Sequence, residues 1–171
     1  MRRWLHPLAC FLISVTASFA QAPAPASTSS SPLSLISWMQ GTWTTQATPP
    51  GQAPVPIEQH ITSVLGGQAM SFSTFFNGVQ QYEGLFAYDP AKKAIAFWYP
   101  SADGELTSGT VSRQQDYLLW DFKVTSSSGE VTPFQVHIKQ SGPDDYDWTL
   151  FGASGSDWKQ MFSLHYHRKS S

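Results

Sequence analysis

Ser37-Trp38-Met39-Gln40-Gly41-Thr42-Trp43-Thr44-Thr45 is the stretch on which the reading of this chain turns. Upstream of it the composition is that of a secretory signal followed by a loose tether. Downstream, short alternating segments of strand type follow one another to the end. Gly41-Thr42-Trp43 reads as the start of the first strand. The glycine permits a tight backbone approach, and a large indole then closes one end of a core.

Working outward towards the N-terminus, residues 1–20 have the parts of a secretory signal. Arg2 and Arg3 form a basic n-region, Leu8 to Phe19 an apolar run, and Ser18-Phe19-Ala20 a small-x-small cleavage site. Leu8-Ala9-Cys10 loosely matches a lipobox, but Cys10 sits inside the apolar run. Cleavage after Ala20 removes Cys10, the only cysteine, so the mature chain is expected to hold no disulfide, thiolate metal site or cysteine nucleophile. Loss of Arg2 and Arg3 takes Lys+Arg from 10 to 8 against 12 acidic residues, and the formal charge from -2 to -4. A mildly acidic domain without a basic run argues against nucleic acid as a partner. No later run has the roughly 20 apolar residues of a spanning helix, so no stable membrane insertion is expected. Residues 21–32 are Pro, Ala and Ser with no large apolar side chain, and read as a disordered tether. Residues 33–169 are then a single domain, exported to the periplasm or beyond the cell.

Residues 33–40 make a short apolar turn in which Leu35 and Met39, four apart, would share one face and plug a barrel end. Ten strand-like segments follow, at 42–46, 57–65, 69–77, 80–88, 94–99, 106–113, 117–125, 131–140, 146–152 and 158–167, punctuated by Gly, Pro, Asn and Asp. Pro49-Pro50-Gly51 and Pro54 to Pro56 form the longest loop, suited to cover an opening. Phe134, Val136 and Ile138 alternate with Gln135, His137 and Lys139. Trp158, Phe162, Leu164 and Tyr166 alternate in the same way with Lys159, Ser163, His165 and His167. With 14% aromatic against 13% charged residues, the chain carries more rings than a small solid core needs. The expected fold is all-β: an antiparallel up-and-down barrel of about 8–10 strands with a short N-terminal helical plug and ring-lined interior.

Gly41-Thr42-Trp43 resembles the opening motif of lipocalins and their calycin relatives. Leu65-Gly66-Gly67, the tract from Tyr82-Glu83-Gly84 to Asp89-Pro90, Ile95 to Tyr99 and Gly109-Thr110-Val111 add to it. Together they look like the bacterial secreted lipocalin-like barrels, and are distantly similar to nitrobindin-type haem barrels. The lipocalin likeness implies a closing arginine, here Arg168, stacked on Trp43, although a Thr-Asp-Tyr motif between the middle strands is missing. The nitrobindin likeness implies a cavity-facing histidine, His165 or His167.

Candidate chemistry is sparse. His165-Tyr166-His167 puts two imidazoles on one strand face, where they could share a metal or ligate haem iron. Their phase places them on the solvated side, opposite the apolar stripe. Glu58 and Glu83 lie inside strands rather than turns and could form an acid–base pair if both pointed inward. Periodicity puts Glu83 outside and the family likeness puts it inside; the reading adopted here is the inward one. Asp144-Asp145-Tyr146-Asp147 lacks the ligand spacing of a calcium loop and reads as a solvated turn. No nucleophile elbow, phosphate loop or metalloprotease helix is present in the sequence. No catalytic residue, metal ligand or cofactor is therefore assigned, and the sequence leans against an enzyme without excluding one.

The leading functional expectation is a barrel that binds a small, mostly apolar molecule through Phe72, Glu83, Trp98, Trp120 and Trp148. The alternatives are a haem-binding or enzymatic barrel using Glu58, Glu83, His165 or His167, and a solid-cored structural or partner-binding module.

Overall fold

The computed structural model describes residues 31–170. The signal assigned to residues 1–20, and the tether apart from its last two residues, lie outside them. Two 3₁₀ turns, Pro32–Leu35 and Ser37–Met39, precede ten strands: β1 (Gly41–Ala47), β2 (Val55–Val64), β3 (Ala69–Phe76), β4 (Val79–Asp89), β5 (Ala94–Pro100), β6 (Leu106–Arg113), β7 (Leu118–Thr125), β8 (Val131–Gln140), β9 (Asp145–Ser154) and β10 (Asp157–Arg168). A third 3₁₀ turn, Leu65–Gly67, links β2 to β3. Every neighbour pair is antiparallel and sequential, and β10 returns to β1, so the sheet closes into an up-and-down barrel. Among the described residues the strand count is ten, the upper limit of the sequence-based range. Eight strands leave an interior that side chains can fill, and width grows with strand number, so ten leave room to spare.

Period-two alternation decides what lies inside. Ile57 and Ile61 of β2, Met70, Phe72 and Thr74 of β3, Phe97 of β5, Trp120 of β7, and Val136 and Ile138 of β8 are all buried. The plug obeys a different period. Leu33, Ile36 and Met39 are the buried residues, spaced by three as the 3₁₀ turn requires, rather than the Leu35 and Met39 expected from a spacing of four.

The closed end is organised by Trp43, which is fully buried. Its Nε1 donates to the Met39 carbonyl at 2.7 Å, tying β1 to the plug. Trp38 and Tyr146 meet its ring edge-on at 6.1 and 4.8 Å, and the Arg168 guanidinium lies 4.1 Å from its centroid. Arg168 also donates to the carbonyls of Gln40 and Trp38 and to Asp144 Oδ1. The closing arginine implied by the family likeness is therefore present. At Gly41, φ is +125° and a Cβ would lie 2.6 Å from Arg168 Nη1, which explains the glycine before Thr42-Trp43.

The β1–β10 seam is brief, with only Trp43↔Arg168 and Thr44↔His167 in register. Beyond Thr44 the two strands part towards the other end of the barrel. That end carries the Pro-rich β1–β2 connection at residues 48–54 and the loops at 101–105 and 126–130. No helix among the described residues is long and apolar enough to cross a membrane.

Candidate functional site

A cavity of about 610 Å³ occupies the barrel between the plug and the opposite mouth. Its walls include Phe72, Phe76, Tyr82, Tyr99, Trp120, Phe122, Phe134, Trp148, Phe162 and Tyr166, contributed by most of the ten strands. The rings hold one another edge-on or tilted: Phe72 meets Phe86 at 5.0 Å and Tyr99 at 5.2 Å, and Trp120 meets Phe86 and Phe97 at 5.1 Å each. Such a network presents fixed apolar faces to the space between them. Burial pushes the Tyr99 phenol up to about 12, partly countered by a hydrogen bond to Thr107, and also raises Tyr166 and Tyr146.

Polar side chains, among them Gln59, Thr74, Thr107, Ser126 and Thr132, are interspersed with the rings. Near the floor Tyr146 donates its hydroxyl to Gln59 Oε1 at 3.1 Å, and Gln59 Nε2 donates to Thr74 Oγ1 at 3.3 Å. Towards the mouth stand Glu105 and Glu130, while no lysine, arginine or histidine belongs to the lining. Burial, with Glu105 and Asp103 nearby, raises the Tyr82 phenol as well. The Trp120 indole nitrogen is buried without a hydrogen-bond partner among the described residues, and the Trp120 ring lies edge-on to Phe86.

The five proposed binding residues divide three to two. Phe72, Trp120 and Trp148 line the cavity. Trp98 does not: its neighbours Phe97 and Tyr99 point in, so Trp98 points out and is 51% exposed. Glu83 is also outside, where it accepts from Gln80 Nε2 at 2.9 Å. Tyr82, Gly84 and Phe86 occupy the inward positions of β4, so the strand's own alternation was the better guide than the family likeness. A register shift between Gln160 and Phe162 moves Trp158 to the outer face of β10, against the simple alternation expected there.

Glu58 lies on the outer face of β2, bonded to Lys169 Nζ at 2.8 Å and His60 Nε2 at 2.6 Å. The Lys169 hydrogen bond, and then that of His60, holds its carboxyl below the ordinary carboxylate value. Glu58 and Glu83 therefore form no interior acid–base pair. A groove of about 800 Å³ outside the wall runs past Glu58 and His60 to His165 and His167 along the parted β1–β10 seam, and is more open to solvent than the interior.

His165 and His167 face outward, as their phase requires, and meet two carboxylates across the β9–β10 register. His165 pairs with Asp147 and His167 with Asp145. His165 Nδ1 lies 2.6 Å from Asp147 Oδ1, its Nε2 lies 3.7 Å from Asp145 Oδ1, and His167 Nδ1 contacts the same Asp145 oxygen. One ligating atom each from Asp145, His165 and His167 falls within 4.8 Å of the others. Asp145 and Asp147 belong to β9 rather than to a solvated turn. Asp145-Tyr146-Asp147 mirrors His165-Tyr166-His167, with each tyrosine buried between two outward polar residues; that symmetry was the available signal. Among the described residues the cavity lining contains no histidine that could serve as an axial haem ligand.

No family model matches the chain, and no curated protein sequence matches it. Its fold is similar to that in the structure titled "Crystal Structure of Rv2717c from M. tuberculosis", with a TM-score of 0.53 and 15% sequence identity over 81% of this chain and 98% of the other. The likeness at that identity concerns the closed barrel alone.

Proposed function

We propose that this protein binds a small, mostly apolar molecule inside its barrel, and that it does so outside the cytoplasm after export. The carrying observation is the cavity of about 610 Å³ lined by Phe72, Trp120, Trp148 and the rings around them. A volume of that order fits a drug-sized molecule, and a mostly apolar, ring-lined wall with interspersed polar side chains is compatible with such a site. With Glu105 and Glu130 near the mouth and no cation in the lining, a neutral or cationic head group is favoured over a carboxylate. No catalytic step is assigned to the cavity.

A second reading, in which the His165 and His167 pair holds a metal, draws on the outer cluster. The outer His/His/Asp cluster offers nitrogen and oxygen donors, whereas haem inside the barrel finds no histidine among the cavity residues.

The test is titration with N-phenyl-1-naphthylamine, an uncharged aromatic probe, alongside native mass spectrometry for a co-purified molecule. Saturable fluorescence enhancement is expected with the parent protein. Leu150→Trp, which fills the cavity from β9, should weaken it by about tenfold or more, equivalent to about 1.4 kcal/mol, while leaving the unfolding midpoint near that of the parent. Absence of saturable binding, or unchanged binding in a folded Leu150→Trp protein, would overturn the proposal.

A further inference from the structure

We infer that Asp145, His165 and His167 form a binding site for a divalent first-row transition metal, best matched to Zn²⁺, on the outer face of the β9–β10 hairpin. The inference is independent of the interior cavity, since these side chains lie on the opposite face of the sheet.

The donor set is two imidazoles and one carboxylate. Nitrogen donors suit Zn²⁺ and its neighbours, whereas Ca²⁺ and Mg²⁺ prefer all-oxygen surroundings. The atoms that converge are His165 Nε2, His167 Nδ1 and Asp145 Oδ1. In a tetrahedral zinc site, with bonds of about 2.0–2.2 Å, ligand atoms lie about 3.3 Å apart. His165 Nε2 and Asp145 Oδ1 are 3.7 Å apart. The His167–Asp145 contact must open by less than about 1 Å to admit the ion. The His167 side chain is largely solvent-exposed, which leaves it room for that adjustment.

A second feature points the same way. Asp147 Oδ1 lies 2.6 Å from His165 Nδ1, the ring nitrogen not needed by the metal. A carboxylate accepting from one imidazole nitrogen fixes the tautomer that presents the other as a lone pair. This carboxylate–histidine–metal arrangement is the usual support of a zinc-bound histidine. Asp147 is therefore a positioning residue.

Charge balance agrees. Among the described residues, the ion pairs of Asp145 and Asp147 are all with His165 and His167. Neighbouring cations are engaged elsewhere, Arg168 with Asp144 and Lys139 with Asp116. With neutral imidazoles the cluster carries two uncompensated negative charges, which a divalent ion neutralises. Cross-strand pairing alone explains two His–Asp contacts; it does not require both His165 Nε2 and His167 Nδ1 to approach the same Asp145 oxygen.

The test is calorimetric titration of the full chain with Zn²⁺, with Co²⁺ absorption as a spectroscopic report of coordination. The expected result is one site whose affinity falls about 10–100-fold in Asp147→Asn and whose tetrahedral Co²⁺ bands disappear in the His165→Ala, His167→Ala double variant. His137→Ala, at an outer-face histidine of β8 that stacks on Tyr117 and is in register with Thr149 rather than with a cluster residue, removes no proposed ligand and should bind like the parent. The metal-free unfolding midpoint of the double variant serves as the check that it remains folded. Absence of Zn²⁺ binding by the parent, or unchanged binding by the folded double variant, would overturn the inference.

Discussion

Replacing Trp43 with alanine tests the barrel seam directly. The indole is fully buried, bonded through Nε1 to Met39, packed on Trp38 and Tyr146, and covered by Arg168. Truncating a large buried aromatic costs about 3–5 kcal/mol through lost transfer energy and the cavity left behind. Two features place Trp43 in the upper part of that range. The Met39 carbonyl loses its donor, and the Arg168 cation loses its aromatic face, a contact worth about 0.5–2 kcal/mol. These contributions overlap, so the expectation is about 4–5 kcal/mol in all. Domains of this kind have a total stability of about 5–15 kcal/mol, which makes the loss about a quarter of it or more. With a urea slope of about 2 kcal/mol/M, the midpoint should fall by about 2 M. Trp43→Phe keeps a ring but removes the N–H donor, and should fall by about half as much or less. Equilibrium urea unfolding followed by circular dichroism measures both. A Trp43→Ala midpoint within about 0.3 M of the parent would show that the indole does not hold β1, β10 and the plug together.

Gly84→Ala should destabilise the barrel by several kcal/mol, because a Cβ there collides with the Trp98 carbonyl and the Tyr99 side chain where β4 and β5 stop pairing; a thermal midpoint unchanged by the substitution would refute that close approach. Alkaline titration should show Tyr99, Tyr146 and Tyr166 ionising late. Their folded-state values are raised above the ordinary 10.0, so the stability they contribute is complete below pH 10 and is lost as pH rises above it. Phenolate absorbance measured beside circular dichroism should show their ionisation coinciding with alkaline unfolding; ionisation of all the tyrosines near pH 10 in a still-folded protein would contradict their burial.

Much of the barrel is legible along the chain because alternation is a local property. A strand turns successive side chains to opposite faces, so Phe134, Val136 and Ile138 declare their side without knowledge of any partner. The same reasoning put His165 and His167 outside and, when applied to β4 alone, put Glu83 outside as well. Family likeness puts Glu83 inside, whereas Tyr82, Gly84 and Phe86 hold the inward positions of β4, and of these Tyr82 lines the cavity. Trp98 is a related case: ring size alone suggests a lining residue, but Phe97 and Tyr99 hold the inward positions and turn Trp98 to the outside. Other features are not local. The shift after Gln160 that turns Trp158 outward exists only in the pairing of β10 with β9. The Gln59–Thr74–Tyr146 hydrogen bonds join residues far apart in the chain, and the meeting of Asp145 and Asp147 with two histidines depends on hairpin register. The cavity is the most collective feature of all. Aromatic content indicated rings in excess of a solid core, but whether they fill the interior or surround a space depends on the width set by ten closed strands.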